Sequence, residues 1–150
     1  MFQNALASEQ VAVVGVIDPD AYTVNTYTTD WIDMDDFESI LAIVLVGTLG
    51  SSATVDAKIE QATSSAGAGA KDVTSKSITQ LTQAGTDSDK QAIINCRREE
   101  LDIDSSFRYA RLSVTLGTAT SDFGAIVLGV DARRNPASDN DLSTVDEIVA

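Results

Sequence analysis

Between Thr54 and Thr63 the chain alternates, with Val55, Ala57 and Ile59 on one parity and Asp56, Lys58 and Glu60 on the other. A period of two is the signature of a strand with one wet face, so a half-buried strand is predicted here. Tyr109–Leu116 repeats the pattern, setting Ala110, Leu112, Val114 and Leu116 against Tyr109, Arg111, Ser113 and Thr115. Two other segments are apolar at both parities. From Glu38 to Leu49, Leu41, Ile43 and Leu45 oppose Ile40, Val44 and Val46, and from Phe123 to Val130, Ile126, Val127, Leu128 and Val130 fill both sides. Neither face of such a strand expects water, which predicts a central strand or one covered by another subunit.

The remaining segments fit around these four. Ala21–Met34 is rich in β-branched and aromatic residues and predicts a first strand or an irregular edge. Val73–Thr82 and Lys90–Leu101 carry shorter runs on either side of the polar turn Ala84–Asp89, after which a short helix from Asp89 is an option. Ser64–Ala70 is a loop of glycine, alanine and serine. Six or seven strands with Gly, Ser, Asp and Thr turns, and no long 3.6-residue pattern, define an all-β fold. The expected form is a jelly-roll-like or other antiparallel β-sandwich with extended N- and C-terminal arms. The division is 1-20 as an N-terminal arm ending at Asp18-Pro19-Asp20, 21-135 as the sandwich and 136-150 as a C-terminal arm. In that arm Leu142, Val145, Ile148 and Val149 fall at helical spacing behind Asp141 or Ser143 as N-cap, so the tail is expected to dock. Its removal is expected to weaken assembly and leave the fold intact.

Composition narrows the function more than the fold. The 150 residues fit one domain, and the net charge of −13 repels phosphate backbones and anionic lipid head groups, so no nucleic acid and no membrane is expected as partner. The longest apolar run, Ile40–Val46, is far short of the roughly 20 residues of a membrane helix. The opening twenty residues have no Lys or Arg before their apolar part, unlike a signal peptide. Cys96 is the only cysteine, which excludes an intrachain disulfide and predicts a small buried hydrophobe.

Histidine is absent, and with it the commonest general base, the Ser-His and Cys-His nucleophile pairs and the most frequent metal ligand. Asp30, Asp33, Asp35 and Asp36 cluster beside Trp31 and could supply a glycosidase pair or, through Asp33, Asp35 and Asp36, oxygen ligands for a cation. The segment lacks the glycine and the closing glutamate of an EF-hand loop, and Asp139, Asn140 and Asp141 are weighed in the same way. The GAGA stretch at 67–70 lacks the Lys-Ser of a phosphate loop. No catalytic, cofactor-binding or metal site is assigned, and no enzyme activity is expected. Trp31, Tyr22 and Tyr27 could form a sugar-stacking platform. Six of the ten basic residues are arginines between positions 97 and 134, a type suited to pairing with a partner's carboxylates. Arg97, Arg98, Arg133 and Arg134, with the tail's Leu142, Val145, Ile148 and Val149, are the candidate interface.

The segments VDAKIEQAT (55–63), KSITQLTQAGTDSDKQAIIN (76–95) and RYARLSVTLGTATSDFGAIVLGVDARRNPASDND (108–141) resemble a group of small virion proteins from the structural gene sets of tailed bacteriophages and prophages. The resemblance spans over half of the chain and includes no catalytic motif. It implies a head protein that decorates, cements or completes the capsid shell or its vertices, made in the host cytoplasm and located in the virion. Its partners would be the major capsid protein or other virion subunits, with the chain itself a homo-oligomer. The alternatives are a carbohydrate- or receptor-binding β-sandwich and a head-to-tail or tail subunit.

Overall fold

The structure, a computed structural model, describes residues 4–149. A single helical turn, α1 (Ala7–Gln10), precedes ten strands: β1 (Val11–Tyr22), β2 (Asn25–Thr28), β3 (Ile32–Asp33), β4 (Phe37–Val46), β5 (Thr54–Ala62), β6 (Lys71–Ser77), β7 (Leu81–Thr82), β8 (Gln91–Arg97), β9 (Tyr109–Gly117) and β10 (Ser121–Ala132). Three single 3-10 turns follow β8 or β10, at Arg98–Glu100, Ile103–Ser105 and Ala137–Asn140.

The first sheet runs β1-β10-β4-β8 and the second β2-β9-β5-β6, with the short β3 alongside β9 and β7 alongside β5. Every pairing is antiparallel. Counting only the eight long strands in chain order, the sheets read 1-8-3-6 and 2-7-4-5. That interleaving of early and late strands is the eight-stranded double Greek key of a jelly roll. The protein is therefore an all-β sandwich, as the alternation of polar and apolar residues indicates.

The core lies between the sheets. Ile40, Ala42 and Val44 of β4 and Val127 of β10 face Val55, Ala57 and Ile59 of β5 and Leu112, Val114 and Leu116 of β9, all essentially inaccessible to water. The core is aliphatic, and a small aromatic group closes one end, where Tyr22, Tyr27 and Phe123 meet with ring centroids 4.3 to 5.8 Å apart. At the other end Lys76 pairs with Glu100 at 2.8 Å and Lys71 with Asp102 at 2.6 Å, tying β6 to the turns after β8.

Both expected arms are revised. Of the 1-20 segment, residues 1–3 lie outside the described residues, but Val11–Asp20 belong to β1 and pair with β10 along its length. Val11, Val13 and Val16 stay partly exposed while Ala12, Val14 and Ile17 are buried, an alternation that steps across the register shift at Val13/Gly15; Pro19 sits at a second shift between Ile17 and Asp20, on the side of β1 that needs no N–H. The 136–150 segment folds back on its own domain as far as Leu142. Ala137 is fully buried, the Leu142 N–H donates to the Val13 carbonyl at 2.8 Å, and the Val13 N–H donates to the Asp141 carboxylate at 2.6 Å. This cap occupies the outer edge of β1. Among the described residues no helix forms from Asp141 onward or after Asp89: the tail's apolar residues are used one at a time, and β8 starts at Gln91.

Candidate assembly surface

The two outer faces of the sandwich differ in chemistry. On the second sheet the outward positions are polar and paired: Arg111 holds Glu60 at 2.8 Å, Lys58 holds Asp72 at 2.6 Å and Glu60 at 3.3 Å, and Thr26 bonds Thr115 at 2.9 Å. This is a face built for water.

The first sheet is the reverse. Its register lines up side chains from all four strands in rows across the outer surface. One row is Val16, Ile126, Ile43 and Ile93, and the next is Val13, Leu128, Leu41 and Asn95. A third is Val11, Val130, Ser39 and Arg97, and Leu45 lies beyond the first row beside Gly124 and Gln91. None of the apolar members is fully buried, and Leu45 and Ile93 remain 48% and 58% exposed. Arg97 is the one charged residue in these rows. Four strands about 4.8 Å apart and six residues at about 3.3 Å each give a continuous apolar surface of roughly 400 Å². That equals the largest apolar patch of an ordinary monomer, which is often functional.

At one end the surface deepens into a hollow of about 750 Å³, floored by Val16, Leu45, Phe123 and Ile126 and rimmed by Asp20, Asp89 and Asp122. At the other end Arg97 and Glu38 border a smaller recess with Glu99 and Asp131. Carboxylates thus stand at both ends of the greasy centre, joined at one of them by Arg97.

The residues expected at an interface are distributed unevenly around this surface. Arg97 stands on it, its guanidinium 3.1 Å from the exposed Glu99. Arg133 lies beside it, 3.5 Å from Glu38, and Arg134 is exposed nearby in sequence. Arg98 is turned inward on its own chain, hydrogen-bonded to Asp35. Leu142 and Val145 are half-buried against the domain, whereas Ile148 and Val149 are 48% and 85% exposed. The sequence reading did not name Val11, Val13, Val16, Ile93 or the outward residues of β4 and β10 as a site. The signal was there for β4 and β10, apolar at both parities, but which parity faces out is set by the sheet pairing.

Of the four aspartates near Trp31, Asp33 and Asp35 are paired with arginines. Arg108 grips Asp33 through both Nε, at 2.7 Å, and a terminal nitrogen, and reaches Asp35 at 3.1 Å. That hydrogen bonding holds the Asp33 carboxyl below the usual carboxylate range. Asp141 caps Val13, and Asn140 donates to the Ala137 carbonyl at 3.2 Å. Among the described residues no group of three or more metal-ligating side chains converges, and no helix is long and apolar enough to cross a membrane. Trp31 does not join Tyr22 and Tyr27: its ring lies beneath the Arg111 guanidinium at 4.4 Å and against Gly67, while the tyrosines pack on Phe123. The three-residue sugar platform is therefore not assembled. Cys96 is fully buried, and desolvation pushes its thiol up to about 11.

The chain matches no family model and no curated protein sequence. Among solved structures it is similar to a chain from the cryo-EM structure of Broad Bean Stain Virus, with TM-score 0.47 and 10% identity over 90% of this chain and 93% of that one. It is also similar to a chain from the infectious bursal disease virus Gx strain, with TM-score 0.45 and 14% identity over 85% of this chain and 34% of that one. A third likeness is to a chain from Bacillus endospore appendages, which form disulfide-linked pili, with TM-score 0.40 and 13% identity over 87% of this chain and 99% of that one. At TM-scores below 0.5 these likenesses carry no argument about function, and the jelly-roll assignment rests on this chain's own strand order.

Proposed function

We propose that this protein is a non-enzymatic structural subunit of a virion shell that joins other subunits through the outer face of the β1-β10-β4-β8 sheet. The observation that carries the reading is the contrast between the two faces: one sheet turns paired charges and threonines outward, and the other turns out rows that are mostly aliphatic. A jelly roll that stood alone would have no use for the second arrangement, since its core is already complete between the sheets. Covering Leu45 and Ile93 alone contributes about 0.75–1.5 kcal/mol each, half of the 1.5–3 kcal/mol for a fully buried Leu or Ile. The finer reading follows the sequence resemblance: a capsid decoration, cement or vertex protein of a tailed bacteriophage, acting on the major capsid protein.

The test is incorporation into assembled shells. A Leu41→Glu, Ile126→Glu double variant should enter particles at least tenfold less than wild type, while Thr115→Glu on the opposite sheet should enter normally. Equal incorporation of both would remove the reading.

A further inference from the structure

The two edges of the apolar sheet are treated differently. β1 carries register shifts at Val13/Gly15 and Ile17/Asp20, a proline, two flanking aspartates and the tail's cap at Val13. These are the devices by which edge strands avoid pairing with another chain. β8 has none of them. It is regular and proline-free, its register with β4 is unbroken from Gln91 to Arg97, and it exposes the aliphatic Ile93 at 58%.

Backbone direction shows which groups of β8 are free. In an antiparallel ladder alternate residues turn N–H and C=O to opposite sides. The Val46 N–H donates to the Lys90 carbonyl at 2.9 Å, so Lys90, Ala92, Ile94 and Cys96 address β4. Gln91, Ile93, Asn95 and Arg97 address the open edge, and the Arg97 N–H indeed donates away from the sheet, to Glu100 at 2.8 Å. Among the described residues Gln91, Ile93 and Asn95 make no backbone hydrogen bond on that side.

We infer that β8 pairs antiparallel with β8 of a second copy about a two-fold axis at Ile93. In this register Ile93 meets Ile93 once, on the axis, while Gln91 meets Asn95, and Asp89 in the turn before β8 comes within side-chain reach of Arg97, twice each by symmetry. About six backbone hydrogen bonds form from groups that are now open. The neighbouring registers are worse: centring on Ile94 sets Ile93 against an amide, and centring on Asn95 sets it against Arg97. Pairing also doubles the apolar face, from four strands and roughly 400 Å² to eight strands and roughly 800 Å², the area each partner of a standard stable interface contributes. The inference rests on the shell-subunit reading and specifies the unit that presents the face: a dimer with one continuous eight-stranded surface.

Sedimentation equilibrium and native mass spectrometry test it. The wild-type chain should run as a two-chain species. Ile93→Pro removes an N–H that does not serve β4, so its circular dichroism should match wild type while the dimer is lost, and its melting, unlike that of the dimer, should not depend on concentration. Arg97→Asp should weaken the dimer at least tenfold, and adding Asp89→Arg in the same chain should restore it. The strand from Gln91 to Arg97 alone spans about 20 Å, and Asp89 lies in the turn before it, so rescue acts only between chains. A wild-type chain that stays single at its highest soluble concentration, an Ile93→Pro chain that still dimerises, or absence of rescue would each overturn the inference. Leu41→Glu, Ile126→Glu separates the two readings: it should keep the dimer and lose particle entry. Normal entry would sink the shell reading with the dimer standing, and a dimerising Ile93→Pro would do the opposite.

Discussion

Replacing Asp141 by alanine removes the acceptor that holds the Val13 N–H at 2.6 Å and, with it, half of the clasp between the tail and the edge of β1; the other half is the Leu142 N–H on the Val13 carbonyl at 2.8 Å. A hydrogen bond to a charged acceptor contributes about 1.5–3 kcal/mol and a neutral one about 1 kcal/mol. Asp141→Ala should therefore cost about 1.5–3 kcal/mol and Asp141→Asn roughly 1 kcal/mol or less, because the amide oxygen still accepts. For a domain of this size that is a fall in Tm of about 3–10 °C for the alanine variant. Urea unfolding should show a lower midpoint at unchanged slope. Hydrogen exchange should show the Val13 amide released in Asp141→Ala and retained in Asp141→Asn. Deleting 136–150 should cost more than Asp141→Ala, since it also removes the buried Ala137, whereas deleting 143–150 should stay within about 0.5 kcal/mol of wild type. If Asp141→Ala is as stable as wild type, or if the asparagine and alanine variants are equally impaired, the tail is not a clasp and the reasoning fails.

Gly129→Ala should destabilise the chain by about 1–3 kcal/mol, because the added methyl would stand 2.5–2.7 Å from the Phe37 ring. Combined with Phe37→Leu the loss should be less than additive in a denaturation cycle, and strict additivity would disprove the clash. Stability should also fall at acid pH. Asp33, Asp87, Glu100 and Asp102 are all held below their ordinary values, chiefly by hydrogen bonds from Arg108, Lys90, the Arg97 amide and Lys71 respectively. Such groups bind protons more readily unfolded, so their contribution is complete above about pH 4–5 and is lost as pH falls through the lowered values. Melting scans from pH 6 to 2 check this, and a flat profile below pH 4 would contradict it.

The sandwich was legible because β5 and β9 alternate strictly, and such strands declare both their period and their buried side. β1 was not. VAVVGVIDPD reads as an arm because the proline and aspartates near its end signal a turn, whereas in the fold they lie on an edge that tolerates a missing N–H. The tail's helical spacing was misleading for a related reason: Leu142 and Val145 are placed by the clasp at Val13, a long-range contact that a local period cannot report. The arginines were legible as pairing groups but not by partner. Nothing local joins Arg108 to Asp33 or Arg98 to Asp35 across 75 and 63 residues. The apolar surface was half legible, since the surplus in β4 and β10 was plain, but the contributions of Val11, Val13, Val16 and Ile93 emerge only when the register lays four strands side by side.

That surplus removes a safeguard. Where one parity of a strand is polar, a slip of one residue is punished at once because charges turn inward; β4 and β10 could slide past each other and still present aliphatic side chains to both sides. Alignment must then be kept by shape. Gly129 sits under the Phe37 ring, and Gly124 lies beneath Pro19 with only 3.0–3.1 Å to spare for a methyl. Displaced by one step, Leu128 or Val130 would be driven into the aromatic ring. Two residues without side chains thus serve as notches on β10, Gly129 indexing it against β4 and Gly124 against β1.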